Sequence, residues 1–206
     1  LVTASDDKTI RVWNPKTGRE ERKILGQIGP GSVGKIYAIA LSPDGKLLGS
    51  GGFLDVPGDG GSGQIRLHDF RTGELLQILK GHENVLQDLA FSPDGRWLAS
   101  SSSDKTVRLW RRSGSRFTAG PVLRGHENSV YEVRLFEDSG RLRVVSASYD
   151  HTVRLWDAES GRQLALGRHE NRTDSLAVGP DWIASAGWDK TIRIWNPKTG
   201  REERKI

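Results

Sequence analysis

The pattern that organises this chain is clearest in VLQDLAFSPDGRWLASSSSDKTVRLW, residues 85–110. Three short apolar segments alternate with turn residues: VLQDLAF precedes Ser-Pro-Asp-Gly, RWLASSS precedes Asp-Lys, and TVRLW closes the unit. Pro at the second position of a turn, followed by Asp-Gly, favours a tight reversal of the chain. Segments rich in branched and aromatic residues between such turns indicate β-strands. The stretch therefore predicts three consecutive antiparallel strands.

The closing strand of this unit recurs along the chain. Four copies end in Trp, and a fifth is altered: TIRVW (9–13), QIRLH (64–68), TVRLW (106–110), TVRLW (152–156) and TIRIW (191–195). In each intact copy an Asp lies six residues before the Trp, and a Ser or Thr lies ten residues before it. A glycine turn and a fourth short strand follow, such as PVLRG or EERKI. Four strands in a unit of about 40–45 residues is the blade of a β-propeller.

With a His upstream of each complete unit, these motifs resemble the WD-repeat family, and the resemblance covers the whole chain. In that family the recurring His, Ser, Asp and Trp form a buried hydrogen-bond relay. The resemblance therefore implies a structural role for three complete sets: His82, Ser100, Asp104 and Trp110; His126, Ser146, Asp150 and Trp156; and His169, Ser185, Asp189 and Trp195.

We expect an all-β fold, a β-propeller of four-stranded antiparallel blades in an incomplete ring of about four and three-quarter blades. The units form one domain over residues 1–206: a partial blade at 1–24 and blades at 25–80, 81–124, 125–167 and 168–206. A blade leaves strand edges and apolar faces that its neighbours must cover. Further blades, from the same or another chain, are therefore needed to close the ring.

Two features bear on the parent protein. The chain contains no methionine and opens inside a predicted strand, so we expect it to be part of a longer polypeptide. Residues 1–24 are identical to residues 183–206 at 18 of 24 positions. Either the parent repeats a four-blade block, or these two blades are recent copies of each other.

Composition limits the function classes. The net charge is +5 and the sequence pI is about 9.6, with Lys and Arg spread over every unit. A basic balance leaves nucleic-acid binding as an alternative function. The absence of cysteine, of a long apolar run and of a signal-peptide pattern fits a cytoplasmic protein.

Some patterns imitate catalytic or binding motifs. Ser, His and Asp recur together three times, whereas catalysis needs one unique set of groups, so we predict no enzyme activity and no catalytic residue. The segment GDGGSG (58–63) matches a dinucleotide-binding pattern in its letters, but it falls between two strands rather than in a βαβ unit. We predict neither a metal site nor a cofactor.

Function in a propeller lies in the turns that a rigid scaffold presents. In WD-repeat proteins one face commonly binds partners, and the resemblance places its exposed positions three and five residues after the His and one before the Asp. The predicted partner-binding residues are Lys35, Tyr37, Tyr131, Tyr149, Arg172 and Trp188. They include all three tyrosines, and aromatic residues and Arg are enriched at binding hot spots. We therefore predict a non-catalytic scaffold or sensor module of a larger multidomain protein, which binds a protein partner of unknown identity.

The second unit departs from the pattern. Ser32, Ser62 and His68 stand where His, Asp and Trp are expected, and only Ser50 fits. Two long glycine-rich loops, 25–34 and 53–63, lie on the same predicted face. Either this is a degenerate blade with tolerated insertions, or the 53–63 loop is a recognition element.

Overall fold

The computed structural model describes residues 1–25, 31–53, 63–114 and 116–206. Within these ranges the chain forms nineteen β-strands and no helix. The strands make five antiparallel sheets, each built from strands that are consecutive in the sequence. This architecture confirms the predicted all-β propeller with an incomplete ring.

We number the sheets 1 to 5 in chain order. Sheet 1 contains three strands, β1 (Val2–Ala4), β2 (Thr9–Trp13) and β3 (Glu20–Leu25). Sheet 2 contains β4 (Lys35–Leu41), β5 (Leu47–Phe53), β6 (Gly63–Asp69) and β7 (Leu75–His82). Sheet 3 contains β8 (Leu86–Phe91), β9 (Trp97–Ser102), β10 (Val107–Ser113) and β11 (Arg116–Leu123). Sheet 4 contains β12 (Val130–Asp138), β13 (Arg141–Ser148), β14 (Thr152–Asp157) and β15 (Gln163–Arg168). Sheet 5 contains β16 (Thr173–Val178), β17 (Ile183–Gly187), β18 (Ile192–Trp195) and β19 (Glu202–Lys205).

The last strand of a sheet also leads into the next sheet. β3, β7, β11 and β15 end at Leu25, His82, Leu123 and Arg168, against expected unit ends at 24, 80, 124 and 167. His82 closes β7 but turns its side chain toward Ser100 of sheet 3. The expected boundaries at 24, 80 and 167 therefore fall one or two residues before the end of a strand, and the boundary at 124 falls one residue after one.

One tight turn is repeated in four sheets: it lies between the second and third strands of sheets 3, 4 and 5, and between the first two strands of the three-stranded sheet 1. The residue after the motif Asp has a positive φ at Lys8, Lys105, His151 and Lys190, with values of 68°, 70°, 72° and 63°. This backbone conformation costs a residue other than glycine about 1 kcal/mol. The Asp offsets this strain by accepting hydrogen bonds from the residue two positions further along the chain. Asp104, for example, accepts from the amide (2.9 Å) and the hydroxyl (2.6 Å) of Thr106.

The core lies between consecutive sheets. The closing Trp of one sheet shares an apolar cluster with the third strand of the sheet before it. The pairs are Trp110 with Ile65, Trp156 with Val107, and Trp195 with Val153. Burying a large apolar side chain contributes about 1.5–3 kcal/mol, so each sheet depends on its neighbour for stability.

The outer face of sheet 5 shows the consequence of an incomplete ring. Ile192 is 45% exposed, whereas the equivalent Ile10, Val107 and Val153 are 1%, 0% and 5% exposed. No sheet of the described ranges covers this face of sheet 5. The first strands of sheets 2 to 5 lie side by side: β4, β8, β12 and β16. The turns that lead into these strands therefore share one end of the molecule.

Candidate interaction face

Each complete relay is a continuous chain of hydrogen bonds inside one sheet. In sheet 3 the Trp110 indole Nε1 donates to Ser100 Oγ (2.9 Å), which lies 2.8 Å from His82 Nε2. The other ring nitrogen, His82 Nδ1, donates to Asp104 Oδ2 at 2.7 Å. Asp104 Oδ2 also accepts from the Glu83 amide at 3.1 Å. The relay therefore connects the segment that leads into the first strand, β8, to the turn before the third strand, β10.

Sheets 4 and 5 repeat this geometry. His126 Nδ1 lies 2.8 Å from Asp150 and His169 Nδ1 lies 3.0 Å from Asp189. The other relay members are joined in the same way, with Ser146 between His126 and Trp156, and Ser185 between His169 and Trp195. The structure thus brings together all twelve residues that the sequence grouped into three sets.

The first two sheets differ. In sheet 1 Trp13 Nε1 donates to Thr3 Oγ1 at 2.8 Å, so Thr takes the place of Ser. In sheet 2 the buried His68 replaces the Trp, and its Nδ1 donates to the Gly73 carbonyl oxygen at 3.2 Å instead. Ser32 is exposed at the His position, and Ser62 lies outside the described residues.

The relay carboxylates are ionised and held by donors. Burial acts to raise the pKa of Asp150, but hydrogen bonds from His126 and Thr152 outweigh it and keep that pKa well below its ordinary value. Burial lowers the pKa of His126, which keeps the imidazole neutral at pH 7. A neutral ring can accept from Ser146 at one nitrogen while it donates to Asp150 at the other.

The relays have the connectivity of a hydrolase triad but not its access. A nucleophilic serine must reach a substrate carbonyl at the surface. Ser100 and Ser146 are 0% exposed and Ser185 is 1% exposed, and each Oγ already accepts from a Trp indole. These hydroxyls therefore satisfy buried polar groups and cannot meet a substrate.

Four of the six predicted face residues form one stack across sheets 4 and 5. The rings of Tyr131 and Tyr149 lie nearly parallel, 3.8 Å apart at their centroids with an interplanar angle of 9°. Burial, together with the hydrogen bond to Tyr131, raises the pKa of Tyr149 to about 12. Tyr149 therefore stays un-ionised through the physiological range, stacked on Tyr131.

The stack continues through Arg172 to Trp188. The Arg172 guanidinium carbon lies 4.7 Å from the Tyr149 ring centroid and 5.7 Å from that of Trp188, within cation–π range of both. Trp188 Nε1 donates to Asp174 Oδ2 at 2.6 Å, which fixes the orientation of the indole. Trp188 is nevertheless 58% exposed. We call Tyr131, Tyr149, Arg172 and Trp188 the aromatic–arginine stack.

The other two predicted face residues form a separate group. Lys35 Nζ pairs with Asp6 at 2.8 Å, which raises the pKa of Lys35. Tyr37 lies close enough to Lys35 to influence its charge and is 44% exposed. Within the described ranges, no hydrogen bond, ion pair or ring contact joins this group to the aromatic–arginine stack.

Sequence reasoning missed an acidic network on the first strands. Asp88 of β8 accepts from the Val133 amide of β12 at 3.0 Å and pairs with Arg134 at 2.6 Å. Glu132 of β12 pairs with Arg134 and accepts from the Leu176 amide of β16. Burial raises the pKa of both acids. The available signal was positional, because Asp88 and Glu132 each lie six residues after a relay His.

The glycine-rich segments lie partly outside the part of the chain that the structure describes. Residues 26–30 of the first loop and residues 54–62, which include all of the GDGGSG segment except Gly63, lie outside the described residues. Over the ranges that the structure covers, no group of three or more His, Asp or Glu side chains is placed to hold a metal ion. The same ranges contain no membrane-spanning helix.

Consecutive four-stranded sheets, three of them closed by a Trp that a Ser–His–Asp chain holds, define a propeller of the WD-repeat type. Comparison with known families agrees. The "WD domain, G-beta repeat" family matches residues 1–14, 73–111, 118–157 and 169–196, together more than half of the chain. The chain belongs to the WD-repeat family.

Curated relatives place it among WD-repeat proteins of varied roles. It is 31% identical over 178 residues to the nuclear distribution protein PAC1 of Coccidioides posadasii, covering 76% of this chain and 34% of that protein. It is 31% identical over 187 residues to the target of rapamycin complex subunit wat1 of Schizosaccharomyces pombe, covering 88% and 53%. The human WD repeat and SOCS box-containing protein 1 is 42% identical over 101 residues, covering 48% and 23%. The chain spans no more than about half the length of these relatives.

Proposed function

We propose that this chain is a non-catalytic protein-interaction scaffold that binds a protein partner through the aromatic–arginine stack. The single observation that carries the proposal is the continuous contact from Tyr131 to Trp188 across two sheets, with Trp188 more than half exposed. Exposed aromatic and Arg side chains that are already ordered lose little entropy on binding. One of the relatives is by name a subunit of a complex.

The relays support this role because they hold the turns that carry the stack. Tyr149 and Trp188 immediately precede the relay residues Asp150 and Asp189. The Tyr149 amide donates to the Ser129 carbonyl at 3.0 Å, and the Trp188 amide donates to the Arg172 carbonyl at 2.8 Å. The backbone of each turn is therefore fixed from both sides, which pre-organises the exposed rings for a partner.

The test is affinity capture with quantitative mass spectrometry, using wild-type chain and a double variant Tyr149→Ala and Trp188→Ala. We expect the double variant to lose a defined set of proteins that wild type retains. Trp182→Ala is the matched control, because Trp182 is 40% exposed but directly precedes the second strand of sheet 5, at the opposite end of that strand from Trp188. Equal losses in the control and the double variant contradict the proposal.

Nucleic-acid binding is the second candidate, favoured by the net charge of +5 and by planar groups that bases could stack on. Four arginines are already paired with Asp or Glu carboxylates: Arg11, Arg134, Arg143 and Arg193. These four side chains therefore do not form a continuous basic stripe. A steep fall of oligonucleotide affinity with salt, abolished by Arg172→Gln, is the result that favours this candidate.

We also propose that the chain acts as a scaffold or sensor module within a larger multidomain protein, which fits the greater length of its relatives. The cytoplasmic location and the assignment of residues 1–206 to one domain remain predictions from the sequence. Both are tested by the intact mass and fractionation behaviour of the parent polypeptide.

A further inference from the structure

Arg172 lies between two aromatic rings of the stack. Its guanidinium contacts two aromatic rings, yet within the described part of the chain it forms no hydrogen bond or ion pair. By contrast, Arg193 of the same sheet pairs with Asp189 at 3.3 Å and with Glu202 at 2.9 Å. The donors of Arg172 therefore have no acceptor from the described residues.

The nearby acid does not supply that acceptor. Asp174 lies two residues from Arg172, but its Oδ2 accepts from Trp188 Nε1 at 2.6 Å. The aromatic rings take up the faces of a planar guanidinium in cation–π contact, and the N–H groups point outward in its plane. In-plane N–H pairs match the two oxygens of a carboxylate. Partial shielding by the rings strengthens such a contact relative to one in open water.

Building on the proposed function, we propose that Arg172 receives the carboxylate of an Asp or Glu side chain from an acidic peptide segment of the partner. An apolar or aromatic residue of the same segment packs on the open surface of Trp188, which is 58% exposed. Arg172 is a cation without a counter-ion among the described residues, on a chain of net charge +5, so charge complementarity favours an acidic occupant. The indole orientation that Asp174 fixes sets the distance between the two subsites.

The probe is a phage-displayed library of random 12-residue peptides, selected on the full chain and counter-selected on the double variant Tyr149→Ala and Trp188→Ala. We expect the enriched peptides to share an Asp or Glu next to an apolar or aromatic residue. Selection of basic or uncharged peptides overturns the proposal. Failure to enrich any peptide overturns both it and the proposed function.

The best peptide is then synthesised in two forms, with its acid intact and with that acid changed to the amide. Fluorescence anisotropy gives Kd for each form with wild type and with Arg172→Gln. We expect either change alone to weaken binding about 10- to 100-fold, the range for a charge-assisted hydrogen bond. We expect the second change to add little once the first is made, because both remove one contact.

The cycle separates the possible failures. If Trp188→Ala abolishes binding but Arg172→Gln and the amide peptide do not, the carboxylate proposal fails and the proposed function stands. If neither stack variant affects binding, the proposed function fails as well. A phosphoserine peptide that binds at least tenfold more tightly than the Glu form reassigns the ligand and overturns the carboxylate. The amide peptide leaves the protein unaltered, so its result does not depend on how the variants fold.

Discussion

Replacement of Asp150 by Asn tests whether the relay stabilises sheet 4 as the geometry implies. Asp150 Oδ2 accepts from His126 Nδ1 (2.8 Å) and the Glu127 amide (3.0 Å), and Oδ1 accepts from the Thr152 amide (2.9 Å) and hydroxyl (2.5 Å). The side chain is 6% exposed. An Asn amide must turn its own N–H groups toward two of these donors. We expect a loss of about 2–4 kcal/mol in the free energy of unfolding, from the unmade charge-assisted bonds and the donors left buried.

The chain supplies a matched control in Asp7. Asp7 Oδ1 likewise accepts from the Thr9 amide (3.1 Å) and hydroxyl (2.6 Å), but the described part of sheet 1 provides no relay His, and the side chain is 45% exposed. Asp7→Asn therefore disturbs the same turn without breaking a buried relay. We expect its effect to be clearly smaller than that of Asp150→Asn.

Equilibrium urea unfolding, followed by tryptophan fluorescence and circular dichroism, measures both variants. With a slope of about 2 kcal/mol per molar urea, the Asp150→Asn loss corresponds to a fall of about 1–2 M in the unfolding midpoint. Equal midpoints for the two variants would refute the reasoning, because the turn alone would then account for the effect. A loss below about 0.5 kcal/mol, the usual range for a surface change, would also refute it.

Three further predictions follow from the same contacts. The pKa of Asp150 is lower in the folded state than in the unfolded state, where it is about 3.9, so the ionised carboxylate stabilises the fold above that pH and this stabilisation is lost as pH falls below it. Between pH 5 and pH 3 the urea midpoint should therefore decline more steeply in wild type than in Asp150→Asn. Tyr149 has a pKa of about 12, so a titration followed at about 295 nm should show a phenol that ionises only near that pH, and Tyr149→Phe should remove this phase; its persistence would contradict the stacked geometry with Tyr131. Glu132→Ala removes the acceptor of the Leu176 amide between sheets 4 and 5, so thermal unfolding should show a loss of about 1–3 kcal/mol, whereas no loss would show that water replaces the carboxylate.

The sequence predicted the strands and the closeness of the relay residues because both depend on local spacing. Ser100 and Trp110, ten residues apart, lie on paired strands, and Asp104, six residues before Trp110, lies in the turn between those strands. In an antiparallel pair joined by a tight turn, register follows from turn length, so the offsets determine which side chains meet. The offsets are equal in sheets 3, 4 and 5, so the same local arrangement is expected in each. The resemblance to a known family then identified this arrangement as a structural relay.

The parts that the sequence did not predict depend on contacts between sheets. The offsets placed Tyr131, Tyr149, Arg172 and Trp188 singly at face positions, but the stack exists because the turns of sheets 4 and 5 lie against each other. Lys35 satisfied the same positional rule and instead pairs with Asp6. Side-chain partners across a sheet interface follow from packing and charge in three dimensions, which a periodic motif does not encode.

The buried relay and the exposed stack are two consequences of one turn. In sheets 4 and 5 the relay Asp fixes the turn from inside, while the residue just before it, the half-buried Tyr149 or the exposed Trp188, belongs to the stack. Sheet 3 has the same relay, but Ser103 occupies the surface position and bonds Gln87 at 2.8 Å. The relay position keeps Asp while its neighbour changes, so the scaffold is independent of the surface chemistry. If the proposed function holds, recognition is concentrated where two adjacent turns both carry aromatic residues and an unpaired Arg lies between them.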